Sequence, residues 1–515
     1  MIRSSFQVAL RAAALTAITT MNCHAAVSLI GFGSISGTYE DLSSKMAPPL
    51  ENGVAGNRLG GIGSGLAYAG GTTFLALPDR GPNAAPYASD VDDTASYINR
   101  FQTLNLSLAP NPDYVVPAPA VFNSLTSLPF VLTPTLRHTT LFFSATPLVY
   151  GTGTGLQEDD GTPLGSGVPA LNTPSVHYFT GRSDGFNPNL PSSNSNDARL
   201  DPESIRVAND GQSVFVSDEY GPYVYQFNRS TGQRIRAFKL PSNLAVSLLS
   251  PMGQTEIDGN TSGRIANKGM EGLAITPDGK TLVGIMQTNL EQDAVGSLRI
   301  ITIDIQSGAT HEYAYQLTDG TGVSDIVAVN SHQFLVDERD GKGTGDKAGL
   351  FDTASSASVK KLYLIDFNQS PSPTEVSNVP KINLADPSNT VVPTAKTLFL
   401  DIVAVLKAAG FDARLIPSKI EGVTFGQDVT MVVNGQAVTK HTLYVANDND
   451  FLTAIADPLV GKCNPPPAVC SRAMVPYPNQ FFVFAFDDTD LPNYVPQAVK
   501  PLTPQEGDQG DDDEQ

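Results

Sequence analysis

A strand–turn–strand unit recurs along this chain, and that recurrence limits the fold more than any other feature. Asp201-Pro202-Glu203-Ser204-Ile205-Arg206-Val207 leads through Asp210-Gly211 into Ser213-Val214-Phe215-Val216-Ser217-Asp218-Glu219. Met270-Glu271-Gly272-Leu273-Ala274-Ile275 leads through Asp278-Gly279 into residues 281–287. Residues 322–329 lead through Asn330-Ser331-His332 into a run ending Asp337-Glu338-Arg339. Lys419-Ile420-Glu421-Gly422-Val423 leads, after a longer excursion, into a run ending Asn447-Asp448, and a weaker copy joins residues 63–68 to 73–79. Asp-Gly supplies the left-handed position that tight hairpins need. Third strands are expected at 223–228, 297–304, 361–367 and 481–486, and fourth strands at 234–240 and 311–317.

Four antiparallel strands per unit, recurring about every 50 residues, describe the blade of a β-propeller. Such a unit cannot bury both faces alone, and stacking units around an axis does so while leaving few free edges. The expected fold class is all-β, with about six four-stranded blades and five to seven allowed. The sixth would be shared between residues 27–35 and C-terminal strands, closing the ring. Segments near 110–196 and 368–417 read as insertions, the second with a short helix over 398–409, and Asn434-Gly435 marks a further hairpin. With no Trp, 45 Gly and 38 Pro, the composition suits many short strands and turns.

The ends read as processing and tail segments. Residues 1–25 have Arg3, Arg11, a short apolar run over 8–18 and small residues at Ala25-Ala26, the pattern of a secretory signal. The protein is therefore expected to be secreted or periplasmic, with a single domain over 26–500 and an acidic, disordered tail over 501–515. No later run is apolar for long enough to span a membrane as a helix. Export leaves Cys463 and Cys470, which are expected to form a small-loop disulfide around Pro465-Pro466-Pro467. A net charge of −20 repels phosphate backbones and excludes nucleic acid as a partner. The chain is expected to act as a monomer.

Blade topology brings the start of each first strand and the end of each second strand to one face. That face collects carboxylates, of which Asp79, Glu203, Asp218, Glu271, Asp337, Glu421 and Asp448 are the expected metal ligands. So many acids in one place titrate upward or take a cation. An all-oxygen set suits Ca2+, whereas zinc would want clustered His or Cys, and the histidines share no spacing. Arg80 and Arg339, with Tyr220, are expected to bind an anionic group of the substrate. Glu219 and Glu338 are the candidate general bases. Gly61-Ile62-Gly63-Ser64-Gly65 has the wrong spacing for a nucleophile elbow, so a serine nucleophile is not expected.

At Asp201-Pro202-Glu203-Ser204, Ser217-Asp218-Glu219-Tyr220-Gly221, Met270-Glu271-Gly272-Leu273-Ala274 and Lys419-Ile420-Glu421-Gly422-Val423 the sequence resembles the phytase-like family, described by an esterase-like activity of phytase. The resemblance runs from about Gly60 to Asp487. It implies an exported propeller that hydrolyses phosphoesters or carboxylic esters, with a small anionic or ester substrate. The Arg-His-Gly signature of histidine acid phosphatases is absent. A non-catalytic binding propeller is the alternative, and a lactonase a weaker one, because fold alone does not specify chemistry.

Overall fold

The computed structural model describes residues 27–82, 95–114, 128–151, 167–250, 253–346, 355–433, 435–459 and 474–503. Cys463 and Cys470, the signal segment, Asn434 and most of the acidic tail lie outside the described residues.

Five antiparallel sheets surround one axis, each with four strands in its main path, and the fifth carries an extra strand, Val429–Val433, hairpinned onto Gln436–Asn447. From the axis outward, blade 1 is Gly65–Tyr68, Thr73–Leu77, Arg100–Pro110 and Phe130–Leu141. Blade 2 is Pro202–Val207, Ser213–Asp218, Tyr223–Asn228 and Arg234–Lys239. Blade 3 is Met270–Ile275, Thr281–Met286, Ser297–Asp304 and Thr310–Gln316, and blade 4 is Gly322–Ala328, Gln333–Arg339, Lys360–Asp366 and Ala395–Asp401. Blade 5 is Ile420–Phe425, Gln436–Asn447, Asn479–Phe486 and, outermost, Ser28–Ile35 from the other end of the chain.

The ring thus has five blades, within the expected range. The N-terminal strand does close it against a C-terminal strand, with Phe32 opposite Phe482, but it completes blade 5 instead of forming a sixth. Two loop-rich segments each contain an outer strand: Phe130–Leu141 for blade 1 and Ala395–Asp401 for blade 4. In the second, the helix is Ile402–Ala408, starting four residues after the expected 398. Leu398 is instead paired across from Tyr363. Asp401 caps the helix by accepting from the Ala404 N–H, and this fixes where strand ends and helix begins.

Why these residues make these strands follows from burial. The inner strands of blades 2 to 5 are buried at every position, while outer strands such as Arg234–Lys239 are mixed. Inner strands therefore read as continuous apolar runs broken only at special positions. The core is a set of apolar layers between adjacent blades. One layer packs Leu335, Val423 and Phe484, and another packs Leu75, Ile205 and Tyr223.

The axis itself is plugged by an ion pair. Arg206 donates to Asp325 through two 2.8 Å bonds and to the carbonyls of Leu66, Ile326 and Val423. Asp325 also accepts from the Ser204 hydroxyl and the Val423 N–H. The residue after the mouth position of each repeat is small in the other blades: Gly65, Ser204, Gly272 and Gly422. A Cβ on Gly272 would lie 2.8 Å from the Ile326 nitrogen, so the close approach of blades 3 and 4 demands glycine there. Below the plug, the C-terminal stretch crosses the far face, with Val495 bonded to Val329, Gln497 to Val207 and Lys500 to Asn209.

Candidate functional site

Each inner strand of blades 2 to 5 carries a β-bulge at its first residues, for instance between Met270 and Gly272 and between Ile420 and Val423. A bulge re-aims one side chain. Here it lies at Glu203, Glu271 and Glu421, which occupy the same repeat position and line one cavity of about 210 Å3 at the channel mouth. Asp79, Arg80, Glu219 and Arg339 line it too, as the strand-end geometry led us to expect. Asp448 adjoins it through Asp79 and Asp450.

Besides Asp448, four expected site residues do not line the cavity. Asp218 is buried and accepts from the Asp201 and Tyr220 N–H groups, closing a turn. Tyr220 is buried, and its carbonyl accepts from Arg264. Asp337 is buried with neither carboxylate oxygen hydrogen-bonded. Glu338 faces the opposite side of its strand from Arg339, because successive side chains alternate. It accepts from Tyr315 at 2.6 Å, from the Asp319 and Gly320 N–H groups, and from Lys396. That full set of partners belongs to the interface of blades 3 and 4.

Several cavity residues were not singled out by the sequence: Asn267, Lys268, Gln287, Lys419 and Asp450. Lys419 stands two residues before Glu421 in a repeat start, which is a legible signal. Asn267, Asp450 and Phe451 adopt φ values of 53°, 50° and 56°. Left-handed backbone is costly for residues other than glycine and collects at functional sites. Among the other described non-glycine residues only Asn493 shares this sign, and it lies on the far-face stretch.

The mouth is electrostatically crowded. Burial, then the neighbouring Glu271, raises Glu203 and Glu219 well above the ordinary carboxylate range. Burial pushes Asp79 up to about 7, with Lys419 and Arg80 opposing. Glu271 also rises to about 7, by burial and then by Glu421. Burial raises Asp450 too, but Lys419 outweighs it and holds that carboxyl below its usual range. The arginines are engaged by the protein. Arg80 bonds Asp201 at 3.0 Å and Asn267 at 2.6 Å, and Arg339 bonds Glu421 and Ser324.

Two carboxylate groups could each hold a cation: Asp201, Glu203 and Glu219, and Asp79, Asp448 and Asp450, with ligand oxygens within 4.8 Å of one another in each. Within the mouth, Glu271 Oε2 is buried and has no hydrogen-bond partner. Among the described residues no His or Cys lines the cavity. Gly181-Arg182-Ser183-Asp184-Gly185 does have nucleophile-elbow spacing. It is a buried turn in which Asp184 binds Arg182, and no helix leads out of it, so it is not the strand-to-helix turn of such an elbow.

Residues 57–451 match the family model "Phytase-like: Esterase-like activity of phytase". An uncharacterized secreted protein of Arthroderma benhamiae is 31% identical over 318 residues, covering 56% of this chain and 54% of that one. The chain thus spans about half the length of that curated relative. Among solved structures, hydrazine synthase of Kuenenia stuttgartiensis is similar at 11% identity, covering 81% of each chain with a TM-score of 0.27. A luciferin-regenerating enzyme is similar at 10%, covering 82% of this chain and 92% of that one, also at 0.27. Likenesses at that score bear on neither fold nor function.

Proposed function

The chain belongs to the phytase-like family, and on that premise we propose that it is an exported hydrolase of phosphoesters or carboxylic esters, acting at this mouth with a bound hard divalent cation such as Ca2+. The observation that carries the reading is the Asp201–Glu203–Glu219 group, whose two glutamates line one polar cavity with the unpartnered Glu271 Oε2. The donors fit a hard ion, being carboxylate oxygens alone. Two of them, Glu203 and Glu219, have no ion-pair partner among the described residues, so positive charge there offsets their crowding.

Asp201, Glu203 and Glu219 are the residues that would hold the ion. When bound, it would supply the positive charge that polarises an ester oxygen and acidifies a nearby water. Glu271 would take the proton of the attacking water through Oε2, because an acceptor with a pKa near neutrality suits that task. Arg339, 3.7 Å from Glu271, orients it. Arg80, which lines the mouth, fixes Asp201. Glu338 has no part in this scheme.

The test is turnover of a panel of phosphomonoesters, short acyl esters and lactones, before and after chelation. Calcium-restored turnover is expected, with Glu271→Gln lowering kcat at least about 100-fold while the fold persists. Turnover that survives chelation, or full activity in Glu271→Gln, would overturn the scheme. The engagement of both arginines by carboxylates favours a second reading, a cation-loaded propeller that binds without turnover. Bound calcium with no turnover on any substrate class would select it.

A further inference from the structure

The mouth carboxylates fall into two groups, and one already contains a cation. Lys419 precedes the inner strand of blade 5 and enters the group formed by Asp79, Asp448 and Asp450. Its ammonium donates to Asp448 and, at 2.8 Å, to Asp450, and lies 3.8 Å from Glu421. The other group differs. Arg80 pairs with Asp201, while Glu203 and Glu219 face no ammonium or guanidinium within ion-pair distance among the described residues. Glu271 Oε2, buried at the same mouth, has no partner. A lysine ammonium is a compact point charge, so in a nest of hard oxygens it stands in for a metal ion.

We propose that Lys419 is the built-in second cation of the mouth, filling the Asp79–Asp448–Asp450 position and limiting the site to one divalent ion, held by Asp201, Glu203 and Glu219. The one-ion part rests on the function proposed above. The placement of Lys419 does not. Removing the ammonium without altering the oxygens would convert its position into a second divalent site.

Calcium titration by calorimetry into chelator-stripped protein at pH 7 tests this. The wild type is expected to bind one ion and Lys419→Met two, with Lys419→Met/Asp448→Asn returning to one. Two ions in the wild type, or one ion in both the wild type and a folded Lys419→Met, would overturn the proposal. No ion in the wild type but one in Lys419→Met would keep the role of Lys419 and overturn the cation reading of the other group. No ion in either would overturn both. If stripped Lys419→Met is too unstable to titrate, the thermal midpoints of both proteins are followed against calcium instead. A steeper climb than in the wild type supports the proposal, and parallel curves overturn it.

Discussion

The axial plug and the channel mouth lie a residue or two apart on the same inner strands, yet they handle buried acid in opposite ways. At the plug, Asp325 has both oxygens occupied, by Arg206, Ser204 and two backbone N–H groups, and the pair ties blades 1, 2, 4 and 5 together. At the mouth, Glu203 and Glu219 have no ion-pair partner among the described residues and Glu271 keeps a bare oxygen. A buried acid with matched donors specifies structure. A buried acid left short of donors stores free energy that a cation or a proton can release. The difference separates the scaffold of the ring from the place where chemistry is proposed.

Removing one partner at the plug should have the largest effect. Asp325→Ala strands a buried guanidinium and should cost about 3–5 kcal/mol in urea unfolding. A loss under about 1 kcal/mol would mean that the pair does not organise the axis. The mouth should respond with the opposite sign. Glu203→Gln should stabilise the metal-free protein by about 0.5–2 kcal/mol, the range of single stabilising substitutions, because it removes a carboxyl that burial and Glu271 disfavour in its charged form. Destabilisation of similar size would erase the contrast.

The same logic sets a pH dependence. Asp79 and Glu271 rise to about 7 in the folded protein, above an unfolded value near 4. For a carboxyl with a raised folded value, the stabilising contribution is complete below the unfolded pKa and is lost as pH rises through the folded one. These two groups should therefore make metal-free protein lose stability between pH 4 and 7, a fall that saturating calcium should flatten. Thermal midpoints across that window with and without calcium check it, and identical profiles would contradict it. The smallest effect belongs to the plug: Ser204→Ala, which removes a 3.0 Å bond to Asp325, should cost about 0.5–1.5 kcal/mol and leave calcium binding unchanged.

The repeat made most of this legible from sequence. Turn residues and apolar runs located the inner strands, and the shared Glu of three repeats located the mouth. Closure was harder to read, because the pairing of Ser28–Ile35 with Asn479–Phe486 joins segments with no repeat partner and great separation in sequence. Strand-end parity was harder still. A shift of one residue moves a side chain to the other face, and this is why Glu338 turns to Tyr315 while Arg339 reaches the cavity. Asp325 stands at the start of its inner strand as the mouth glutamates do, yet the bulge between Val323 and Ile326 sends it to the axis. The left-handed turn at Asp450 and Phe451 depends on packing against Gly60 and Gly61, which no local pattern announces.

The most direct test of the central claim is calcium affinity, measured by calorimetry at pH 7 in stripped wild type, Glu203→Gln and Ser204→Ala. The account predicts binding in the wild type and in Ser204→Ala, and a loss of about tenfold or more in Glu203→Gln. Equal affinity in all three, or no binding in any, would contradict it.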